Sequence, residues 1–285
     1  MTLSKKATDQ SDSIKTYNSA ITVFAEEMRK FCGKEPIAYQ DANCEELKIN
    51  GRQLTVELPR SRVNFTVTIS IDNNCIELQT TPISYEIYKL NIDFINRLIF
   101  ESAKNAGLEP ATDKTVDGKT VYGGGGHISL DSQSAFAGDV YVLHEFIQQY
   151  TQEALKQVSK KGGLFSYNDA VNSPLMDIGA LNGFLESQGK KIGDITDIEE
   201  YLNLLKTFYT EVTITSHKLK NDERIKEPGD ISHYQAVNVD DFLGGAGRRG
   251  RIEMRNFDAQ TDINLLLKQV DALYQILAQA YYVHA

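Results

Sequence analysis

Hydrophobic side chains recur along this chain with two different periods, and these periods separate helices from strands. A spacing of three and four residues predicts amphipathic helices, whereas strict alternation predicts strands. The predicted helices cover 14–32, 84–106, 139–158, 174–185, 195–212 and 261–282. The predicted strands cover 53–58, 64–71, 75–80, 122–130, 234–239 and 249–257. Helices that alternate with strands predict an α+β domain in which helices pack on one sheet face and the other face forms a concave site.

The chain has 285 residues, which is enough for one large domain or two small ones. Residues 1–13 are polar and are predicted to form a flexible, loosely attached N-terminus. The remaining residues contain no internal repeat and no linker of domain scale. We therefore predict a single domain over 14–285.

Charge and cysteine content limit the classes of function. A net charge of −9 argues against a non-specific nucleic-acid binder, although four arginines between 248 and 255 form a local basic cluster. Three cysteines without a close pairing motif fit a reducing, cytosolic setting. The sequence shows no secretory signal and no apolar segment long enough to span a membrane, so we predict a cytoplasmic protein without a membrane partner. The alternative that the protein is a secreted effector, which acts in another cell's cytosol, remains open.

The segment 251–255 carries the most informative pattern in the chain. If it is a strand, Arg251, Glu253 and Arg255 point to one face because side chains alternate. Taken alone, a carboxylate between two guanidinium groups is most often a structural ion pair. On an open face the carboxylate could instead hold a metal ion while the arginines hold phosphate oxygens.

A run of four glycines leads into a second segment of interest, His127 to Ser129. Glycines before a strand suggest that the backbone approaches something bulky, although a lone histidine is more often structural than a ligand. Glu77 could belong to a solvated strand face, and Asn238 could hydrogen-bond the backbone in the core. His144 shows no ligand spacing and is interpreted as ordinary.

Three segments, taken in order, resemble the glutamine synthetase superfamily, and most closely its amidoligase branch of carboxylate–amine ligases. Residues 72–82 (DNNCIELQTTP) resemble the family hairpin that holds a metal-binding glutamate, here Glu77. Residues 124–131 (GGGHISLD) resemble the strand with a metal-binding histidine, here His127. Residues 234–258 resemble the closing strands, with Asn238 in YQAVNV and Arg251, Glu253 and Arg255 in the R-x-E-x-R strand.

The resemblance implies a curved, mostly antiparallel sheet with helices packed on one face, like the catalytic domain of that superfamily. It implies a ligase that joins a carboxylate to an amine through an acyl phosphate, with ATP and Mg²⁺ or Mn²⁺ as cofactors. In this interpretation Glu77, His127 and Glu253 bind metal, and Arg251 and Arg255 hold phosphate. The substrates would be a carboxylate and an amine from a small molecule, a peptide or a protein side chain. Ligases of this fold often assemble, so a homo-oligomer is also expected.

The sequence departs from the family pattern at two places. Ser129 stands where the family has a second histidine, and its hydroxyl would contact phosphate without carrying charge. No strand with two metal-binding glutamates precedes the first helix, and Glu57 is the nearest candidate for that role. Two alternatives therefore remain: a degenerate ligase scaffold that acts as a binding or regulatory protein, and a guanidino phosphotransferase on the same fold.

Overall fold

The chain divides into two compact units. A computed structural model describes residues 2–4, 10–32, 38–44, 49–72, 75–110, 114–116, 119–121, 125–157, 164–165, 175–211, 235–240 and 250–284. The first unit consists of Met1–Gly126 and Ala259–Lys268, and the second consists of His127–Asp258 and Gln269–Ala285. The single domain over 14–285 stays a prediction.

The first unit is built on a six-stranded antiparallel sheet. Its strands, in the spatial order β2-β3-β4-β5-β1-β6, are β1 (Thr2–Ser4), β2 (Ala38–Cys44), β3 (Ile49–Glu57), β4 (Asn64–Asp72), β5 (Cys75–Thr80) and β6 (Glu109–Pro110). Asp72 pairs with Cys75, as expected for the predicted tight hairpin, whose residues 73–74 lie outside the described residues. The strand β1 falls within the segment 1–13 that was predicted to be flexible.

One face of this sheet is apolar and the other is polar. Alternation places Leu54, Val56, Phe65, Val67 and Ile69 in the core, each at most 5% exposed. The opposite face carries threonines and glutamines that bond across the strands, such as Thr55 to Thr66. The described residues of the first unit also include a small hairpin of β7 (Lys114–Val116) and β8 (Lys119–Val121). Its helical segments are α1 (Gln10–Cys32), α2 (Tyr85–Leu90), α3 (Ile92–Ile95), a π-helical turn (Asn96–Glu101), α4 (Ser102–Asn105) and the start of the last helix.

The second unit packs helices around a three-stranded antiparallel sheet of order β10-β11-β9. Its elements are β9 (Gly126–Asp131), α5 (Ser132–Phe136), α6 (Val140–Gln157), α7 (Ile178–Ser187), a 3₁₀ turn (Ile192–Asp194), α8 (Ile198–Glu211), β10 (Val237–Asn238), β11 (Arg251–Phe257) and most of α9 (Ile263–His284). Apolar faces of α6, α7 and α8 form one core with Ile252 and Met254 of β11. Burial of these faces favours folding of the unit.

The α+β class is confirmed, but the prediction of one curved sheet is wrong. The strands form separate antiparallel sheets, and the described residues contain no curled sheet. Alternation along a strand predicts which of its faces is buried, but it does not determine which strand lies beside it. Within the described residues, no helix is long and apolar enough to cross a membrane.

The end of β11 is fixed by a buried glutamine on α9. The Gln269 side chain, which is fully buried, donates hydrogen bonds to the carbonyl oxygens of Leu164 (3.2 Å) and Asp258 (2.8 Å). The backbone N–H of Asp258 donates to Leu164, and Phe165 forms a bridge with Phe257. These contacts hold the last residues of the strand that carries Glu253.

We expect Gln269→Leu to lower the free energy of unfolding by about 2 kcal/mol, because two hydrogen bonds from a fully buried side chain to the backbone are lost. Urea denaturation followed by circular dichroism measures this change. Gln152→Leu, at an exposed position of α6, is the matched control and should change stability by less than about 0.5 kcal/mol. Equal effects of the two substitutions would contradict the clamping role of Gln269.

Candidate functional site

The strand β11 presents its charged residues on one face and its apolar residues on the other. Ile252 and Met254 are fully buried in the core of the second unit. Between them, Arg251, Glu253 and Arg255 point to the opposite face, as alternation predicts. The side chains of Arg251 and Arg255 are 33% and 15% exposed, so neither is fully buried.

Glu253 lies at the centre of a cluster of cationic and amide groups. Its Oε2 accepts hydrogen bonds from Arg255 Nη1 (3.0 Å) and from Asn238 Nδ2 (2.9 Å). Its Oε1 lies 3.6 Å from His127 Nδ1 and 3.9 Å from Arg251 Nη2. Each strand of this sheet therefore contributes to one site, which we call the Glu253 cluster: His127 from β9, Asn238 from β10 and the remaining three residues from β11.

The cluster lowers the pKa of Glu253 from its ordinary 4.5 to about 2. Burial alone raises this pKa, because a desolvated carboxylate is less stable than a carboxylic acid. The positive charges of His127, Arg255 and Arg251, together with the Asn238 hydrogen bond, act in the opposite direction and outweigh burial. Glu253 is therefore ionised throughout the physiological pH range.

Asn238 connects the cluster to helix α8. While its amide group donates to Glu253, its carbonyl oxygen accepts a hydrogen bond from the backbone N–H of Asp240 (2.9 Å). The Asp240 carboxylate in turn pairs with Lys206 of α8 at 3.2 Å. The sequence interpretation named Asn238 but missed Asp240 and Lys206, because no local pattern relates a helical lysine to a residue 34 positions later.

Ser129 lies two residues beyond His127 on β9. Alternation places both side chains on the same strand face, while Ile128 and Leu130 pack against the core. The strand ends where the backbone N–H of Ser132 donates to the carbonyl oxygen of Gly250 at 2.6 Å. Gly250 has φ +89°, a conformation that favours glycine immediately before β11. The role of Ser129 in contacting phosphate stays a prediction.

The two remaining predicted ligands, Glu57 and Glu77, belong to the first unit. Both lie on the polar face of its sheet, where Glu57 pairs with Arg62 at 2.6 Å and Glu77 accepts a hydrogen bond from Gln79 at 3.3 Å. Glu57 is opposite residue 64 of β4, whereas Glu77 is opposite residue 70. Six residues of strand separate these positions by about 20 Å, so the two glutamates cannot bind the same ion.

The second unit supplies only some of the ligands that a divalent metal ion needs. The distance of 3.6 Å between Glu253 Oε1 and His127 Nδ1 suits two ligands that each lie about 2.1 Å from one ion. Among the described residues, however, no group of three or more histidine, cysteine, aspartate or glutamate side chains could hold a metal ion. The two neighbouring guanidinium groups also repel a cation.

The Glu253 cluster is better suited to an anion. Two arginines and one carboxylate leave one net positive charge, to which a protonated His127 would add another. Arg255 Nε is buried and has no hydrogen-bond partner among the described residues. Guanidinium groups that are partly exposed beside a sheet can donate to phosphate or carboxylate oxygens in pairs.

The glycine run and the glycine-rich loop add little to this site. Gly123, Gly124 and the loop 244–247 lie outside the described residues, as do Arg248 and Arg249. Gly126, at the start of β9, is buried. The structure therefore describes only Gly125 and Gly126 of the glycine run. The close approach of this backbone to a bulky group stays a prediction.

No protein-family model matches the chain, and no curated protein and no solved structure matches it significantly.

The low pKa of Glu253 predicts a loss of stability in acid. Between about pH 4.5 and pH 2 the unfolded chain binds a proton at this residue and the folded chain does not, so the free energy of unfolding falls as pH falls. The full loss from this group is about 3 kcal/mol, since each pKa unit corresponds to about 1.4 kcal/mol. Above pH 5 the stabilisation is fully present.

Urea denaturation of wild type and Glu253→Gln between pH 7 and pH 2.5 measures this loss. The amide keeps the size of the side chain and does not titrate, so the stability difference between the two proteins should shrink as pH falls. A difference that stays constant over this range would contradict the assigned pKa.

Proposed function

We propose that this protein is an ATP-dependent carboxylate–amine ligase whose Glu253 cluster holds the phosphates of the nucleotide. The observation that carries the proposal is the convergence of His127, Asn238, Arg251, Glu253 and Arg255, which come from three strands and from sequence positions up to 128 residues apart. All five residues belong to segments that resemble the amidoligases.

The proposed reaction has two steps. An oxygen of the substrate carboxylate attacks the γ-phosphorus of ATP and ADP leaves, which produces an acyl phosphate. The amine then attacks the acyl carbon, inorganic phosphate leaves, and an amide or isopeptide bond forms. Both steps move negative charge between oxygens, so cationic groups that face the transferring phosphoryl group lower the barrier.

Arg255 and Arg251 would supply that positive charge. Arg255 is anchored by Glu253 through one nitrogen, which orients its planar guanidinium group and leaves other N–H groups to meet a phosphate oxygen. Arg251 is more exposed than Arg255 and lies further from the carboxylate, so its side chain is the more accessible of the two to a bound ligand. Ser129 would add a neutral donor on the same side as His127.

The ATP cofactor would bring Mg²⁺ or Mn²⁺, which neutralises phosphate charge when bound. Glu253 and His127 are the residues of the second unit that would contact it, whereas a contribution from Glu77 or Glu57 stays a prediction. Cytoplasmic localisation and assembly into a homo-oligomer also stay predictions.

A second candidate is a binding or regulatory protein on a degenerate ligase scaffold. One observation favours it: both carboxylate oxygens of Glu253 already contact cationic or amide groups. In this candidate Glu253 organises the two arginines, and the site binds an anion without a metal. The two candidates thus differ in whether the nucleotide needs a metal.

Isothermal titration calorimetry with ATP, with and without Mg²⁺, separates these candidates. We expect wild type to bind ATP with Mg²⁺, and Arg255→Gln to weaken binding at least about tenfold through loss of a charge-assisted contact. Arg29→Gln, on the exposed face of α1, is the matched control and should bind like wild type. Binding that is equally strong in EDTA would favour a degenerate scaffold that still holds a nucleotide, and no binding in either condition would contradict the ligase.

Ligase activity is tested with hydroxylamine, which converts an acyl phosphate to a coloured hydroxamate. We expect ADP and hydroxamate to form together when L-glutamate and other carboxylates are supplied with ATP and Mg²⁺. Glu253→Gln should abolish this reaction while its melting temperature shows that the protein is folded. We prefer glutamine to alanine here, because removing the buried carboxylate altogether leaves two arginines beside an empty space and destabilises the fold. Formation of hydroxamate by Glu253→Gln at the wild-type rate would contradict the proposal.

A further inference from the structure

A second site lies in the second unit and shares no residue with the Glu253 cluster. It is an open cavity of about 550 Å³ between the N-terminal half of α6, the end of α7 and the turn that follows α7. This volume is within the range of small-molecule sites. Its floor contains the buried histidine His144, which the sequence interpretation took as ordinary.

His144 is held in one orientation by a buried tyrosine. The ring is 95% buried by accessible area, yet it lines the cavity. Its Nδ1 lies 2.7 Å from the hydroxyl oxygen of Tyr201, which is fully buried on α8, and the two rings meet edge to face. This is the only hydrogen bond of either side chain among the described residues.

The tyrosine hydroxyl determines where the imidazole carries its proton. If Tyr201 accepted a hydrogen bond from Nδ1–H, its own buried proton would have no acceptor in the described part of the chain. Tyr201 therefore donates to Nδ1, and the neutral ring carries its proton on Nε2. Burial lowers the pKa of His144, so the neutral ring is the form present at neutral pH.

His144 Nε2 has no protein partner among the described residues and is not among their buried unsatisfied atoms. Since Nδ1 faces the core, Nε2 belongs to the ring edge that faces the cavity. The site therefore presents a fixed N–H donor to any molecule in the cavity. Such a donor selects a hydrogen-bond acceptor.

The cavity is lined by two lysines and two glutamates, so its charges admit no more than a singly charged anion. Lys190 pairs with Glu200 at 2.8 Å, whereas Lys191 is exposed and has no acidic partner among the described residues. Glu145 and Glu186 also line the cavity and oppose a highly charged anion such as a phosphate dianion. Glu145 is directed along its own helix, since it accepts a hydrogen bond from Gln149 at 2.8 Å.

Apolar groups complete the cavity wall. Leu185, Ile192 and Val283 line it together with the ring of Tyr141. A side chain at Gly193 would collide with the Tyr141 hydroxyl group, so this glycine allows the tyrosine to lie against the turn. A ligand with an apolar body and one polar end matches this distribution.

We propose that this cavity binds a small organic monocarboxylate. The carboxylate accepts a hydrogen bond from His144 Nε2 and pairs with Lys191, and its apolar part lies against Leu185 and Ile192. The site is independent of the proposed ligase activity.

Ligand-observed NMR on the 285-residue chain tests this site with three probes that share one ring: benzoate, benzamide and benzylamine. We expect saturable binding of benzoate, with both other probes at least about tenfold weaker because they lack the negative charge. Lys191→Gln should weaken benzoate binding about fivefold. Lys104→Gln, an exposed lysine of the first unit, is the matched control and should leave binding unchanged.

A second measurement follows the histidine directly. The ¹⁵N chemical shifts of the His144 ring should show a neutral imidazole protonated on Nε2, and benzoate should shift the Nε2 signal. Tyr201→Phe removes only the hydroxyl group and should both reduce the preference for this tautomer and weaken benzoate binding severalfold. The loss of benzoate binding would not follow if the pair were merely structural.

The proposal is overturned if benzoate does not bind, if benzamide or benzylamine binds as well as benzoate, or if Lys191→Gln and Lys104→Gln behave alike. Glu253→Gln should bind benzoate like wild type. Failure of the ligase assay and failure of this site can therefore be told apart.

Discussion

The burial of one carboxylate, Glu253, constrains the arrangement of the second unit. At 8% exposure, an ionised carboxyl group is stable only if neighbouring groups replace the water that it has lost. These neighbours come from all three strands of the sheet, so β9, β10 and β11 must pair in one register for the charge to be neutralised. The apolar side of β11 is constrained as well. Because side chains alternate along the strand, Ile252 and Met254 point into the core when Glu253 points into the cluster.

The contacts that stabilise Glu253 also determine what the site can bind. Arg255 donates a hydrogen bond to the carboxylate through one nitrogen, and Arg251 Nη2 lies 3.9 Å from it. A phosphate that enters the site would add acceptors to groups that are already oriented, which is the condition for tight electrostatic binding without reorganisation. A metal ion would have to approach a carboxylate whose charge is already balanced. A site that binds both phosphate and a metal ion suits a catalyst, whereas a site that binds only the phosphate suits a binding protein.

Much of the secondary structure follows from local pattern. The predicted helices 139–158 and 195–212 correspond to α6 and α8, and the predicted hairpin corresponds to β4 and β5. The pattern missed β1 and β2, which are strands at or near the edge of the first sheet and lack clear alternation. The single curved sheet was wrong for a different reason. Each strand was predicted separately, and the partner of each strand depends on contacts between residues far apart in the sequence.

The sequence by itself determined that Arg251, Glu253 and Arg255 share one face of a strand, because alternation is a property of the extended backbone alone. It also determined which helix faces are apolar. Tertiary structure alone decided that His127 and Asn238 complete the cluster, that Glu57 and Glu77 lie at opposite ends of one sheet, and that His144 meets Tyr201. These outcomes depend on register and on the packing of distant segments, which side-chain periodicity within one element does not encode.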